Sequence, residues 1–263
     1  MIRALLLLIA LLTAPLAHAG SSQASDPILP AADVAAFSNR VQQDLASRGA
    51  HVAIVARMGR DPSSLPPGIR YTHLGFWVFS EITRPDGTKA RGYRVYNLYQ
   101  MENGGTRSAL VQDSPADFFS GATRLDAGII IPDPRLQKKL IATIASPAYR
   151  ALHNPHYSVL SNPRDTRFQN CTEHTLDILM ASLYGTADRA RIKANIAAHF
   201  TPQRVEVDGL KRLFAPVASQ ALTTADHGAE IRTATFGSIA RFMQAHALTQ
   251  TVYTLTPTAA HRF

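Results

Sequence analysis

The chain has 263 residues, 46% hydrophobic and 17% charged, which suits an ordinary globular core and excludes a disordered chain. Its formal net charge is +8, yet the basic residues form no Lys/Arg run and are not interleaved with aromatics, so no nucleic-acid partner is expected. The basic surface suits either anionic envelope polymers and lipid headgroups or plain solvation. A single cysteine, Cys171, rules out an internal disulfide.

The N-terminus reads as a secretory signal. Arg3 is the charged start, Ala4 to Leu12 the apolar run, and Ala17-His18-Ala19 a small-x-small cleavage site. That run is too short to span a bilayer comfortably, and no later segment is apolar enough to do so. The expectation is a signal peptide over residues 1–19 and a single domain over 20–263. The mature chain would be periplasmic or secreted and not membrane-spanning.

From Pro30 to Ser47, Val34, Phe37, Val41 and Leu45 recur at helical spacing, and Gly49 ends the helix. HVAIVARMG predicts a strand, followed by the proline-rich loop DPSSLPPG. YTHLGFWVFSEI and RGYRVYNLYQM flank Pro85-Asp86-Gly87 and predict an antiparallel hairpin. Residues 113–126 predict a helix or turn capped by Asp113 or Ser114. GIIIPD is a short buried strand, a helix starts at Pro134, and 149–169 reads as loop. Three further helices follow: one from Cys171 to about Tyr184 with Gly185 as C-cap, then ADRARIKANIAAHF and FGSIARFMQAHAL. TVYTLTP closes the chain as a strand. The pattern is α+β with an antiparallel sheet.

Chemistry gathers at two places. In QNCTEHTLDIL, Asn170 is a good N-cap and Glu173 stands three residues on, as in a capping box, so Cys171 opens the helix. The positive field of a helix N-terminus favours a thiolate there. Leu176, Leu179, Met180 and Leu183 predict the buried stripe, and Cys171 lies at the helix end, outside the middle of that stripe. His73 sits in the apolar strand YTHLGFWVF, where a satisfied core histidine is the bland reading. Gly75, two positions on and on the same face, leaves space beside the imidazole. An imidazole next to the thiol would take its proton.

These residues resemble a known family. THLGFWV, a second strand and then NCTEHTLDIL look like circularly permuted members of the NlpC/P60 papain-like superfamily, in which the histidine strand precedes the cysteine helix. The layout also resembles an exported bacterial family of unknown function, the DUF2145 type. The resemblance covers roughly residues 50–185. It implies a papain-like antiparallel sheet packed on the cysteine helix, with Cys171 as nucleophile and His73 as base. It also implies a polar orienter on the next strand, where Asn97 stands; a shifted register would present Tyr96 or Gln100 instead. The Cys171 N–H is the expected oxyanion donor, assisted by Gln169 or Asn170.

The expected function is that of an exported thiol hydrolase or acyl-transferase. It would act on an amide, ester or thioester of an envelope peptide, a peptidoglycan stem or a lipid. The rival is a non-catalytic envelope-binding module with an inert cysteine. No cofactor and no metal are expected: His153, His156, Cys171 and His174 could be drawn as a zinc set, but the proline in His153-Asn-Pro-His156 spoils helical ligand geometry.

Overall fold

The computed structural model describes residues 27–84, 86–101, 105–206 and 220–263. The expected signal peptide and Pro85 of the hairpin turn lie outside them. Seven antiparallel strands form one sheet in the order β4-β3-β2-β1-β5-β8-β9. These are β1 Val52–Arg57, β2 His73–Thr83, β3 Lys89–Gln100, β4 Ser108–Asp113, β5 Ala127–Pro132, β8 Thr249–Leu255 and β9 Ala260–Arg262. A small separate ladder pairs β6 Gln203–Val205 with β7 Ile231–Thr233.

Helices cover both sheet faces. On one face lie α1 (Ala31–Ser47) and the short α2 (Pro115–Ser120). The heptad-like positions Val34, Phe37, Val41 and Leu45 pack there against Val55, Trp77, Val95, Phe119 and Ile129. On the other face lie α3 (Pro134–Ala145), α4 (Ala148–Ala151), α5 (Cys171–Tyr184), α6 (Arg189–His199) and α7 (Phe236–Ala245). Their apolar residues meet Ile54, Leu74, Phe76, Val78 and Ile130. Strands buried on both faces need apolar residues at every position, not every second one. This explains the unbroken runs VAIVA in β1 and AGIII in β5, where every residue is buried.

Helix α5 begins at Cys171 because the Asn170 side chain accepts the Glu173 N–H at 2.9 Å. It ends at Gly185, whose φ of +63° is left-handed and suits glycine. The expected amphipathic stripe is absent: every residue from Cys171 to Ser182 is buried, since the helix lies between the sheet and its neighbouring helices. The position of Cys171 relative to a stripe therefore distinguishes nothing. The capping box is half formed, because the Glu173 carboxylate turns inward to Lys193 Nζ at 2.6 Å.

Candidate functional site

His73 opens β2 and is fully buried. Its Nε2 lies 2.7 Å from Asn97 Oδ1. The Asn97 amide nitrogen donates to Val111 O at 3.1 Å and to the Asp113 carboxylate at 3.4 Å, so Oδ1 is the acceptor and Nε2 carries the proton. Nδ1 is thereby the basic nitrogen, buried and without a hydrogen-bond partner. The imidazole stacks on Tyr99 with centroids 4.6 Å apart and lies 5.4 Å from the Phe118 ring. Gly75 makes this arrangement possible in a way other than by leaving a void. A Cβ on it would stand 2.8 Å from the Asn97 Cβ, so the space beside the imidazole is the space Asn97 uses. The structure brings Asn97 to His73 and takes the two alternatives elsewhere. Tyr96 projects to the opposite face against Tyr149, and Gln100 donates to Gly105 O at 2.6 Å.

Cys171 approaches from the other side of the sheet. The β2–β3 ladder stops at Phe76 opposite Tyr96, and beyond that point the sulfur stands against the β2 main chain. Its thiol donates a long 3.9 Å contact to Thr72 O and faces the Leu74 N–H. These groups flank His73, whose ring projects to the α1–α2 face. Leu98, Tyr157 and Ala221 cover the thiol. No hydrogen bond joins the thiol to the imidazole. The electrostatics also differ from the helix-end expectation. Burial pushes the thiol up to about 11, and the lowering by nearby N–H groups and Arg57 is the smaller effect. Burial, with help from Arg57, holds the His73 imidazole well below its usual range. Both groups are neutral at pH 7 in this conformation.

Three neighbours went unread in the sequence. Arg57, opposite His73 in register, is a fully buried guanidinium. Its Nε and Nη1 have no hydrogen-bond partner, and it has no carboxylate ion pair among the described residues. It reaches the Tyr99 hydroxyl, which in turn reaches the Asp113 carboxylate. Asp113 therefore receives both Tyr99 and Asn97, and burial raises its pKa. Asp113, Asn97 and His73 thus form a hydrogen-bonded chain, with Tyr99 and Arg57 beside it. The legible signal was Arg57, a lone charge ending an apolar strand. Asp113 looked like a helix cap because strand β4 was not anticipated.

Other predicted residues are occupied elsewhere. The Gln169 side chain accepts Asn154 N–H at 2.8 Å and donates to Leu152 O at 3.0 Å and Asp177 at 2.8 Å. With both ends engaged it is not placed to serve an oxyanion. Asn170 is the cap, and its amide also holds Val159 O at 2.9 Å. His174 and His153 stand with ring centroids 6.3 Å apart, while His153 Nε2 lies 3.0 Å from the Ser108 hydroxyl. No group of three or more potential metal ligands occurs among the described residues.

The fold and site thus define an α+β protein with a seven-stranded antiparallel sheet, a buried cysteine opening its central helix, and a buried histidine–asparagine pair. Residues 44–243 match the DUF2145 family, uncharacterized proteins conserved in bacteria, and the chain belongs to that family. No curated protein and no solved structure matches it. No helix among the described residues is long and apolar enough to cross a membrane.

Proposed function

We propose that this protein is an exported thiol hydrolase or acyl-transferase of circularly permuted papain-like order, with His73 before Cys171. The observation that carries the reading is the 2.7 Å hydrogen bond from His73 Nε2–H to Asn97 Oδ1. It fixes the tautomer in which Nδ1 is free as a base, and an unpartnered buried nitrogen is costly to keep without a use. In this reading the dry, neutral pair is a resting state, and apo geometry commonly tightens only when substrate binds. Here the β2 main chain lies between the two groups, so the reading requires substrate binding to shift α5 against the start of β2 and bring sulfur to Nδ1. The thiol proton passes to Nδ1 as sulfur bonds to the carbonyl carbon of an amide, ester or thioester. The imidazolium then protonates the leaving group. Water or another acceptor, deprotonated by Nδ1, releases the acyl group and restores the thiol. The Cys171 N–H at the helix start is the donor for the oxyanion. Substrates would be envelope peptides, peptidoglycan stems or lipid acyl groups.

The second reading, a non-catalytic envelope-binding module, is favoured by a different observation. Cys171 is 3% exposed, and burial pushes its thiol up to about 11. Labelling with an acyloxymethyl ketone of a short peptide separates the two. A thiol hydrolase is labelled at Cys171 near pH 7, and His73→Ala abolishes the label. If native protein stays unlabelled while the denatured chain reacts, or if His73→Ala labels equally well, the cysteine is inert.

A further inference from the structure

Strand β4 is an edge of the seven-stranded sheet. Met101 N–H donates to Arg107 O at 2.9 Å, so by alternation Ala109, Val111 and Asp113 turn their main-chain groups toward β3. Ser108 N–H turns outward and is taken by Pro155 O at 2.9 Å. The next outward residues, Leu110 and Gln112, have no main-chain partner among the described residues. This free stretch borders a cavity of about 580 Å³ between β4 and the α3–α4 corner, lined by Tyr96, Leu110, Gln112, Ile144, Tyr149 and Arg150 among others. The Tyr149 hydroxyl is buried there without a hydrogen-bond partner, in a residue only 7% exposed. Arg150 is exposed, and no carboxylate pairs with it among the described residues. The cavity therefore offers a strand edge, apolar and aromatic walls, an orphan hydroxyl and an unpaired cation side by side.

We infer that this groove binds an extended acidic peptide as an added strand beside β4. The Leu110 and Gln112 main-chain groups would pair with the peptide backbone, and alternate peptide side chains would enter the Tyr96–Ile144–Tyr149 pocket. Arg150 supplies the charge that selects a carboxylate, in keeping with the net charge of +8. Leu110 packs both toward the helical core and against the cluster containing Cys171, so an occupant presses on a residue that borders that cluster. That the bound peptide is also a substrate rests on the thiol hydrolase reading; the binding itself does not.

The test uses full-length Cys171→Ser protein, so that turnover plays no part, and a fluorescein-labelled peptide of alternating glutamate and valine with a lysine–valine control. Fluorescence anisotropy should show saturable binding of the acidic peptide alone. Gln112→Pro removes one outward N–H and no β3–β4 bond, and should weaken binding at least tenfold. Arg150→Glu should also weaken it at least tenfold. Absence of binding, equal binding of the lysine peptide, or insensitivity to Gln112→Pro or to Arg150→Glu overturns the inference. Should Gln112→Pro fail to fold, hydrogen exchange decides: the peptide must protect the Leu110 and Gln112 amides, and unprotected amides refute strand addition. Binding that survives while Cys171 proves inert to the acyl probe retires the hydrolase and keeps the groove.

Discussion

At Asn97, one side chain serves three partners: His73, Val111 O and Asp113. Asn97→Asp should be worse than a conservative exchange suggests. It replaces a donor to Asp113 by a second buried carboxylate, and like charges at that spacing cannot both ionise. We expect a loss of about 2 kcal/mol or more at pH 7, partly regained on acidification as one carboxyl protonates, read from urea unfolding at pH 7 and 5. An unchanged midpoint would mean Asn97 is not buried between them. His174 makes a second residue-level case. Burial, with His153, Lys193 and Arg189, pushes its pKa down to about 3, and neither ring nitrogen has a partner. Below an unfolded value near 6.5 the unfolded chain takes up a proton that the native imidazole refuses, so stability falls as pH falls. His174→Phe removes that share. Relative to wild type, the variant should gain about 2 kcal/mol between pH 7.5 and 5; parallel losses in both proteins would show that His174 protonates freely in the native state.

Between elements, the buried ions of α5 and α6 form the clearest couple. Lys193 Nζ lies 2.6 Å from Glu173 and 2.8 Å from Asp177, with all three residues buried. These carboxylates hold the Lys193 pKa above its usual value despite burial. Lys193→Met strands two buried carboxylates and should cost about 3–5 kcal/mol, measured as a shift in urea midpoint at unchanged slope. Adding Glu173→Gln and Asp177→Asn should restore most of it; no recovery would mean Lys193 acts through packing alone. Such burial marks the limit of reading helices from pattern. The spacing of Val34, Phe37, Val41 and Leu45 was legible because α1 has one buried side. Asp188 likewise announces α6 by capping Arg191 N–H. Glu173 read as a capping-box partner and its pairing with Lys193 went unseen, because tertiary pairing across 16 or 20 positions leaves no local trace. The hairpin left Asn97, Tyr96 and Gln100 open as partners of His73, and only the family resemblance put Asn97 first. The side from which Cys171 approaches was not legible, since that depends on how α5 crosses the sheet.

For the molecule as a whole, the sequence conveys an antiparallel sheet with helices, but not that both sheet faces are covered. Strand β4 escaped notice because SALVQD carries little β-pattern, and with it went the edge and Asp113. The two-sided coverage also orders events in time. Strands β1 to β4 and α1 to α2 draw on residues 31–120, close along the chain, and can associate as soon as they emerge. Strand β5 is different: its second neighbour is β8, where Ile129 stands opposite Tyr253 and Ile130 opposite Val252. Five helices among the described residues separate the two strands. Until residue 255 has arrived, the run AGIII presents unpaired amides and carbonyls on a fully apolar strand, the chemistry of an aggregation seed. The vulnerable form of this protein is therefore the nascent one. Under the export proposed above, that strand would need shielding until its last neighbour is delivered.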